Sequence, residues 1–259
     1  MVSKTYSLRV NNKPFEISTI IRTAGVEWIV CIHGIQSNKN LFTDFFQQSF
    51  ITKYSLLAVD LIGFGNSSKP QNFSYSIVDQ AIILEHLISK LNIKKLNLIG
   101  HSLGGTISTI LLERLKNSIQ SFINLEGNLT LADSSTTKEV AKYTFDEFSH
   151  IKYDQIKNVV KNSAENSALF RSNCLQYIPD YVFYKSSRSI IEWVTNDDLL
   201  KLFTNANCRR LYIYGDKNSF KEKIVPESIQ KVSIKNAGHF MLLDNPEATY
   251  SAIKQFLIQ

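Results

Sequence analysis

Apolar positions along the chain change their period from one stretch to the next, and the change marks the elements. Leu8–Val10 and Phe15–Ile21 flank Asn11-Asn12, a turn signal, so the chain is expected to open with a β-hairpin. Glu27–Ile32 (EWIVCI) is a continuous apolar run, the pattern of a strand buried on both faces. Leu56–Val59, Leu96–Ile99 and Phe122–Leu125 share that character, and Leu211–Tyr214 and Val232–Ile234 complete the set. Between them Ile77–Leu91, Leu103–Leu115 and Pro246–Leu257 carry helical spacing. Strands alternating with helices predict an α/β fold, a mostly parallel sheet of about eight strands flanked by helices. All parallel strands then end at one edge, where ligand and catalytic groups collect.

One stretch breaks the alternation. Residues 127–207 contain no clear buried strand and many aromatics, among them Tyr143, Phe148, Phe183 and Trp193. They are expected to form a helical insertion over the sheet edge, leaving 1–126 and 208–259 as the core. The aromatics suggest an apolar pocket, or simply the packing of the insertion's own core.

Composition narrows the function classes. The chain has 259 residues, 44% of them hydrophobic and 20% charged, which suits one large domain. No apolar run approaches the roughly 18 to 20 residues of a membrane span. The net charge is +6, but the lysines are scattered and no basic stripe is interleaved with aromatics, so no nucleic-acid partner is expected. Cys31, Cys174 and Cys208 are odd in number and far apart, which argues against a disulfide framework or a zinc site. With an N-terminus that lacks a signal-peptide core, they point to a cytoplasmic setting. There is no HExxH, no clustered His and Cys and no phosphate-binding loop, so no cofactor or metal is expected.

The strongest chemical signal is Gly100-His101-Ser102-Leu103-Gly104-Gly105, a G-x-S-x-G motif between a buried strand and a helix. A serine on so sharp a turn needs small residues two before and two after it. It projects from the sheet edge as a nucleophile, with the Leu103 N–H beside it to stabilise an oxyanion. His33-Gly34-Ile35 follows the first buried strand at the same edge, and the Ile35 N–H is the expected second donor. Asp60, after the next strand, reads as a structural loop residue. A hydroxyl nucleophile needs a base. Of the five histidines, His239 lies in the loop after the last strand, where a base must sit to reach Ser102. His101 adjoins the serine, His86 lies within a helix, His150 is in the insertion and His33 belongs to the oxyanion loop.

Taken in order, His33-Gly34, Asp60 to Ser67, Gly100 to Gly105 and Gly238-His239 resemble the α/β-hydrolase superfamily, with residues 127–207 resembling its variable cap. The resemblance implies a Ser–His–acid triad. The family's acid usually follows the strand matching Leu211–Tyr214, three residues beyond a glycine, but that position is Asn218. Two candidates replace it. Glu126, at the tip of the strand after the nucleophile, resembles the alternative acid of some haloalkane dehalogenases. Asp216 lies two residues before Asn218. Glu126 is the favoured acid and Asp216 the alternative. The serine excludes dehalogenation and epoxide opening, which use a carboxylate nucleophile in this superfamily. Hydrolysis of a carboxylic ester-type bond in a small to medium apolar substrate is the expected reaction. Thioester, lactone and carbon–carbon bond hydrolysis, or a non-catalytic receptor role, are the alternatives.

Overall fold

The computed structural model of the protein describes residues 1–258. Within them lies a sheet of eight strands: β1 (Val2–Val10), β2 (Lys13–Arg22), β3 (Glu27–Ile32), β4 (Ser55–Val59), β5 (Lys95–His101), β6 (Ile119–Leu125), β7 (Arg209–Gly215) and β8 (Gln230–Ile234). Their order across the sheet is β1-β2-β4-β3-β5-β6-β7-β8. The hairpin β1–β2 turns through Asn11 and Asn12, both with positive φ (49° and 61°), as a tight two-residue hairpin turn requires. It is longer than the apolar pattern suggests, because Val2–Ser7 is mostly exposed and held by pairing with β2 rather than by burial. β2 lies antiparallel to β4, and from β4 onward all pairs are parallel.

Alternation along β3 shows how the sheet is buried. Val30 and Ile32 face one apolar cluster with Leu96, Leu98 and Phe122. Ile29 and Cys31 face the other with Ile99, Ile123 and Leu211. Each such side chain, fully withdrawn from water, contributes about 1.5 to 3 kcal/mol. The helices α1 (Ile77–Lys90) and α2 (Leu103–Arg114) pack on the first face through residues such as Leu84, Leu87, Ile107 and Leu111. Between β6 and β7 the chain runs through α3 (Ser135–Val140), α4 (Phe145–Glu147), α5 (Tyr153–Lys161), α6 (Ala168–Leu175), α7 (Asp180–Val194) and α8 (Asp198–Asn205). The short α9 (Met241–Asp244) and then α10 (Pro246–Leu257) close the chain against the second face. Among the described residues, no helix is long and apolar enough to cross a membrane.

The aromatics between β6 and β7 pack largely on one another. Phe148 lies 5.4 Å from Tyr153, 5.9 Å from Phe183 and 5.4 Å from Tyr184, ring centre to ring centre. Phe148 and Phe183 are fully buried.

Strand order reverses at β3. The chain goes from β3 to β4 on one side and then to β5 on the other, which opens a crevice at the ends of β3 and β5. One wall of that crevice is tied down by Asp60, fully buried after β4. Its carboxylate accepts from the Lys39 N–H (2.8 Å), the Lys39 ammonium (2.6 Å) and the Asn66 N–H (2.9 Å). Gly65 (φ +48°) leaves room for it, since a Cβ there would sit 2.2 Å from the Asp60 carboxylate. Removing one partner of a buried ion pair leaves the other uncompensated. Lys39→Met is expected to lose about 3 kcal/mol of stability in urea unfolding. A loss below about 1 kcal/mol would mean that the backbone N–H groups alone suffice for Asp60.

Candidate active site

Ser102 joins β5 to α2 with φ 52° and ψ −121°, a backbone region that non-glycine residues rarely occupy. The turn closes because its neighbours are glycines. A Cβ on Gly100 would lie 2.6 Å from the Gly104 carbonyl oxygen, and one on Gly104 would lie 2.1 Å from the Ile32 carbonyl oxygen. The Ser102 N–H donates to the Leu125 carbonyl (3.0 Å), which fastens the turn to β6. The serine stands at the N-terminal end of a 12-residue helix, where backbone N–H groups favour negative charge.

The opposite wall comes from the loop after β3. Gly34 presses on the turn so closely that a Cβ there would meet the Ser102 Cβ at 2.9 Å. This brings the Ile35 backbone beside the serine. His33 shapes the loop. Its Nε2 accepts from the Leu61 N–H (3.1 Å), so its proton is on Nδ1 and is donated to the Gly34 carbonyl (2.7 Å). Burial pushes the His33 imidazole below its ordinary value, which suits this neutral role. The Ile35 and Leu103 N–H groups make no hydrogen bond to protein among the described residues.

His239 sits on the loop after β8. Its Nδ1 is 2.8 Å from Oε2 of Glu126, which lies just beyond the end of β6 and is fully buried. Glu126 itself has φ 49°. Its carboxylate also accepts from the Gly215 N–H (2.9 Å) and from the Asn218 side-chain amide (3.1 and 3.0 Å), and pairs with the Lys221 ammonium (2.9 Å). Burial pushes the Glu126 carboxyl upward. The hydrogen bond and charge of His239 and the charge of Lys221 outweigh it and hold the group well below the usual carboxylate range. An ionised carboxylate on Nδ1 fixes the imidazole tautomer and leaves the Nε2 lone pair to accept a proton.

The structure brings Ser102, His239 and Glu126 to one cavity of about 240 Å³, with Ile35 on its wall. It does not bring Asp216 there. That carboxylate is exposed and accepts from the Asn236 (2.9 Å) and Ala237 (3.2 Å) N–H groups, bracing the loop that carries His239. His101 braces it from beneath, with Nε2 donating to the His239 carbonyl (2.8 Å). Burial, reinforced by the neighbouring His239, pushes the His101 imidazole down to about 3, so it is neutral. His86 and His150 are exposed, each with Nδ1 against the carbonyl four residues earlier, that of Ile82 and of Asp146.

Sequence reasoning missed Lys221. It lies in the polar run Asp216–Lys223, and nothing in the pattern distinguishes it from its exposed neighbours Lys217 and Lys223. It also treated Asn218 only as a gap, whereas the residue donates to the buried carboxylate. No group of three or more His, Cys, Asp or Glu able to hold a metal occurs among the described residues.

Residues 27–150 match the family model of the alpha/beta hydrolase fold. The Mesoderm-specific transcript homolog protein of Bos taurus is 32% identical over 107 residues, which are 40% of this chain and 30% of that protein, so the match spans under a third of the relative's length. A Haemophilus influenzae protein named "Putative esterase/lipase" is 23% identical over 271 residues, covering 94% of this chain and 87% of its own. Among solved structures, a thermophilic esterase from Thermogutta terrifontis with malate bound is similar at a TM-score of 0.77 and 16% identity, covering 100% of this chain and 98% of that one. Together with the sheet order and the turn at Ser102, these matches identify the chain as a protein of the α/β-hydrolase fold.

Proposed function

We propose that the protein is a serine hydrolase that cleaves a carboxylic ester-type bond through an acyl-enzyme. The observation that carries this reading is the 2.8 Å contact between Glu126 Oε2 and His239 Nδ1, on the cavity that Ser102 also lines. Ser102 Oγ attacks the carbonyl carbon as His239 Nε2 takes its proton. The Leu103 and Ile35 N–H groups hold the oxyanion that develops, and Glu126 stabilises the imidazolium. His239 then gives the proton to the leaving group, and on the return half activates water to release the acid.

Residues 127–207 act as a cap on a core made of 1–126 and 208–259. Cap and core both contribute to the cavity wall: Ile190 and Arg171 come from the former, Ile35, Phe220 and Phe240 from the latter. A volume of about 240 Å³ suits a small substrate, whose apolar part meets Ile35, Ile190, Phe220 and Phe240 and whose polar part meets groups such as Gln36 and Arg171. A thioester or lactone carbonyl would meet the same groups, and a panel of such substrates decides the bond.

Fluorophosphonate labelling followed by peptide mass spectrometry tests the assignment without a known substrate. Wild type is expected to be labelled at Ser102, and Ser102→Ala not at all. Glu126→Gln is expected to slow labelling by about 10³-fold or more, because the imidazolium loses its counter-charge. Asp216→Asn should label near the wild-type rate. Unchanged labelling in Glu126→Gln together with its loss in Asp216→Asn would move the acid to Asp216.

Ionisation of Glu126 also sets an acid dependence of stability. A carboxyl held below its ordinary value in the folded state stabilises the fold fully above the ordinary range, and that contribution falls away as pH drops beneath it. The unfolding free energy of wild type relative to Glu126→Gln is therefore expected to be largest near pH 7 and to shrink toward about pH 3. A difference independent of pH in urea titrations would mean that the folded carboxyl is not held ionised.

A further inference from the structure

Lys221 is the one cation in contact with the buried carboxylate among the described residues. Its side chain is 6% exposed, although Lys217, Glu222 and Lys223 on the same segment are exposed. A lysine on so polar a segment could extend into water, and withdrawing its charge is strongly unfavourable unless it is paired. Its partner is Glu126 Oε2, the same oxygen that meets His239 Nδ1. Two contacts of 2.9 and 2.8 Å to one atom leave the ammonium no more than about 6 Å from the imidazole.

We infer that Lys221 is a positioning residue of this site whose charge, acting through Glu126, sets the pH at which His239 becomes available as a base. The inference rests on the serine-hydrolase reading above. Glu126 alone would favour an imidazolium strongly. With the ammonium already on that carboxylate, a proton on His239 becomes a second cation at one anion. At a separation of this size their repulsion amounts to roughly one to two pH units. Lys221 thereby keeps the imidazole unprotonated, and able to take the Ser102 proton, into more acidic solution.

Other groups around the pair do not substitute for it. From β5, His101 is neutral and bonded to the His239 carbonyl. From β7, the Tyr212 hydroxyl is buried and burial pushes it further up, so it carries no charge. Asp133, after β6, lines the cavity, accepts from the Leu129 and Thr130 N–H groups and faces the Lys221 charge without touching the Glu126 carboxylate. Asp216 and Asp244 hold backbone N–H groups of the histidine loop, at Asn236, Ala237 and Gly238. Lys217 is exposed beside that loop, and Arg171 from α6 lies over the Phe240 ring while paired with Glu165. Of these, only Lys221 touches the carboxylate that the imidazole also uses.

The test is the rate of fluorophosphonate labelling at Ser102 in the full chain, followed from about pH 5 to about pH 9. Wild type is compared with Lys221→Gln, which removes the charge and leaves a shorter polar side chain, and with Lys221→Arg. The midpoint at which labelling rises with pH should move up by about one unit in Lys221→Gln and stay near wild type in Lys221→Arg. A Lys221→Gln protein that melts normally and keeps the wild-type midpoint, whatever its absolute rate, overturns the inference, because a purely structural lysine would lower the rate equally at every pH. Should Lys221→Gln fail to fold, Lys221→Met, which keeps the length of the side chain and removes its charge, must raise the midpoint too; an unmoved midpoint there is equally fatal. Wild-type protein that takes no label at any pH overturns the serine-hydrolase reading itself, and this inference with it.

Discussion

A carboxylate taken wholly out of water must be given donors by the protein, and Glu126 collects them from four groups: the Gly215 N–H, the Asn218 amide, the Lys221 ammonium and His239 Nδ1. These groups come from the end of β7, from the segment after it and from the loop after β8. Satisfying one buried anion therefore sets how three edge segments stand relative to the tip of β6. The imidazole is oriented by the same requirement. Little freedom is left at this edge, because moving any one donor leaves charge unpaired in a dry place.

The serine side of the cavity depends on a different constraint, close backbone approach. Gly100, Gly104 and Gly34 each sit where a Cβ would overlap atoms across the turn, at distances of 2.1 to 2.9 Å. Their absence of side chains lets the loop after β3 close on the turn after β5. The strained conformation at Ser102 persists because β5, α2 and the Ile32–Gly34 segment over-determine it.

The two sides meet because of topology. Reversal of strand order at β3 puts the Gly34 loop and the Ser102 turn on one crevice, while β6 and β7 continue the sheet so that Glu126 and the histidine loop arrive beside it. Bracing is distributed. Asp60 holds the loop on one flank through Lys39 and Asn66, and Asp216 and His101 hold the His239 loop on the other.

Much of this was legible in the sequence. Apolar runs buried on both faces marked the parallel strands, since such runs have few other stable homes. Glycines spaced around Ser102 marked the turn, and the order of motifs marked the fold. Position along the chain was enough to bring forward Ser102 and His239, because both sit where a strand ends at the same sheet edge. Choosing between Glu126 and Asp216 was another matter. Each is a carboxylate after a buried strand, and which one meets the imidazole depends on the path of two loops and on the packing of β6 against β7. The burial of Lys221 was hidden for the same reason: a lysine in a polar run turns inward only because a buried anion lies within reach, a fact of three-dimensional distance that no local pattern carries. The sequence by itself determined the sheet, the glycine-flanked turn at Ser102 and the histidine loop, whose signals are local in the chain. Only the tertiary structure decided which charges share the buried carboxylate, because electrostatic partners are selected by proximity across segments about 90 residues apart or more.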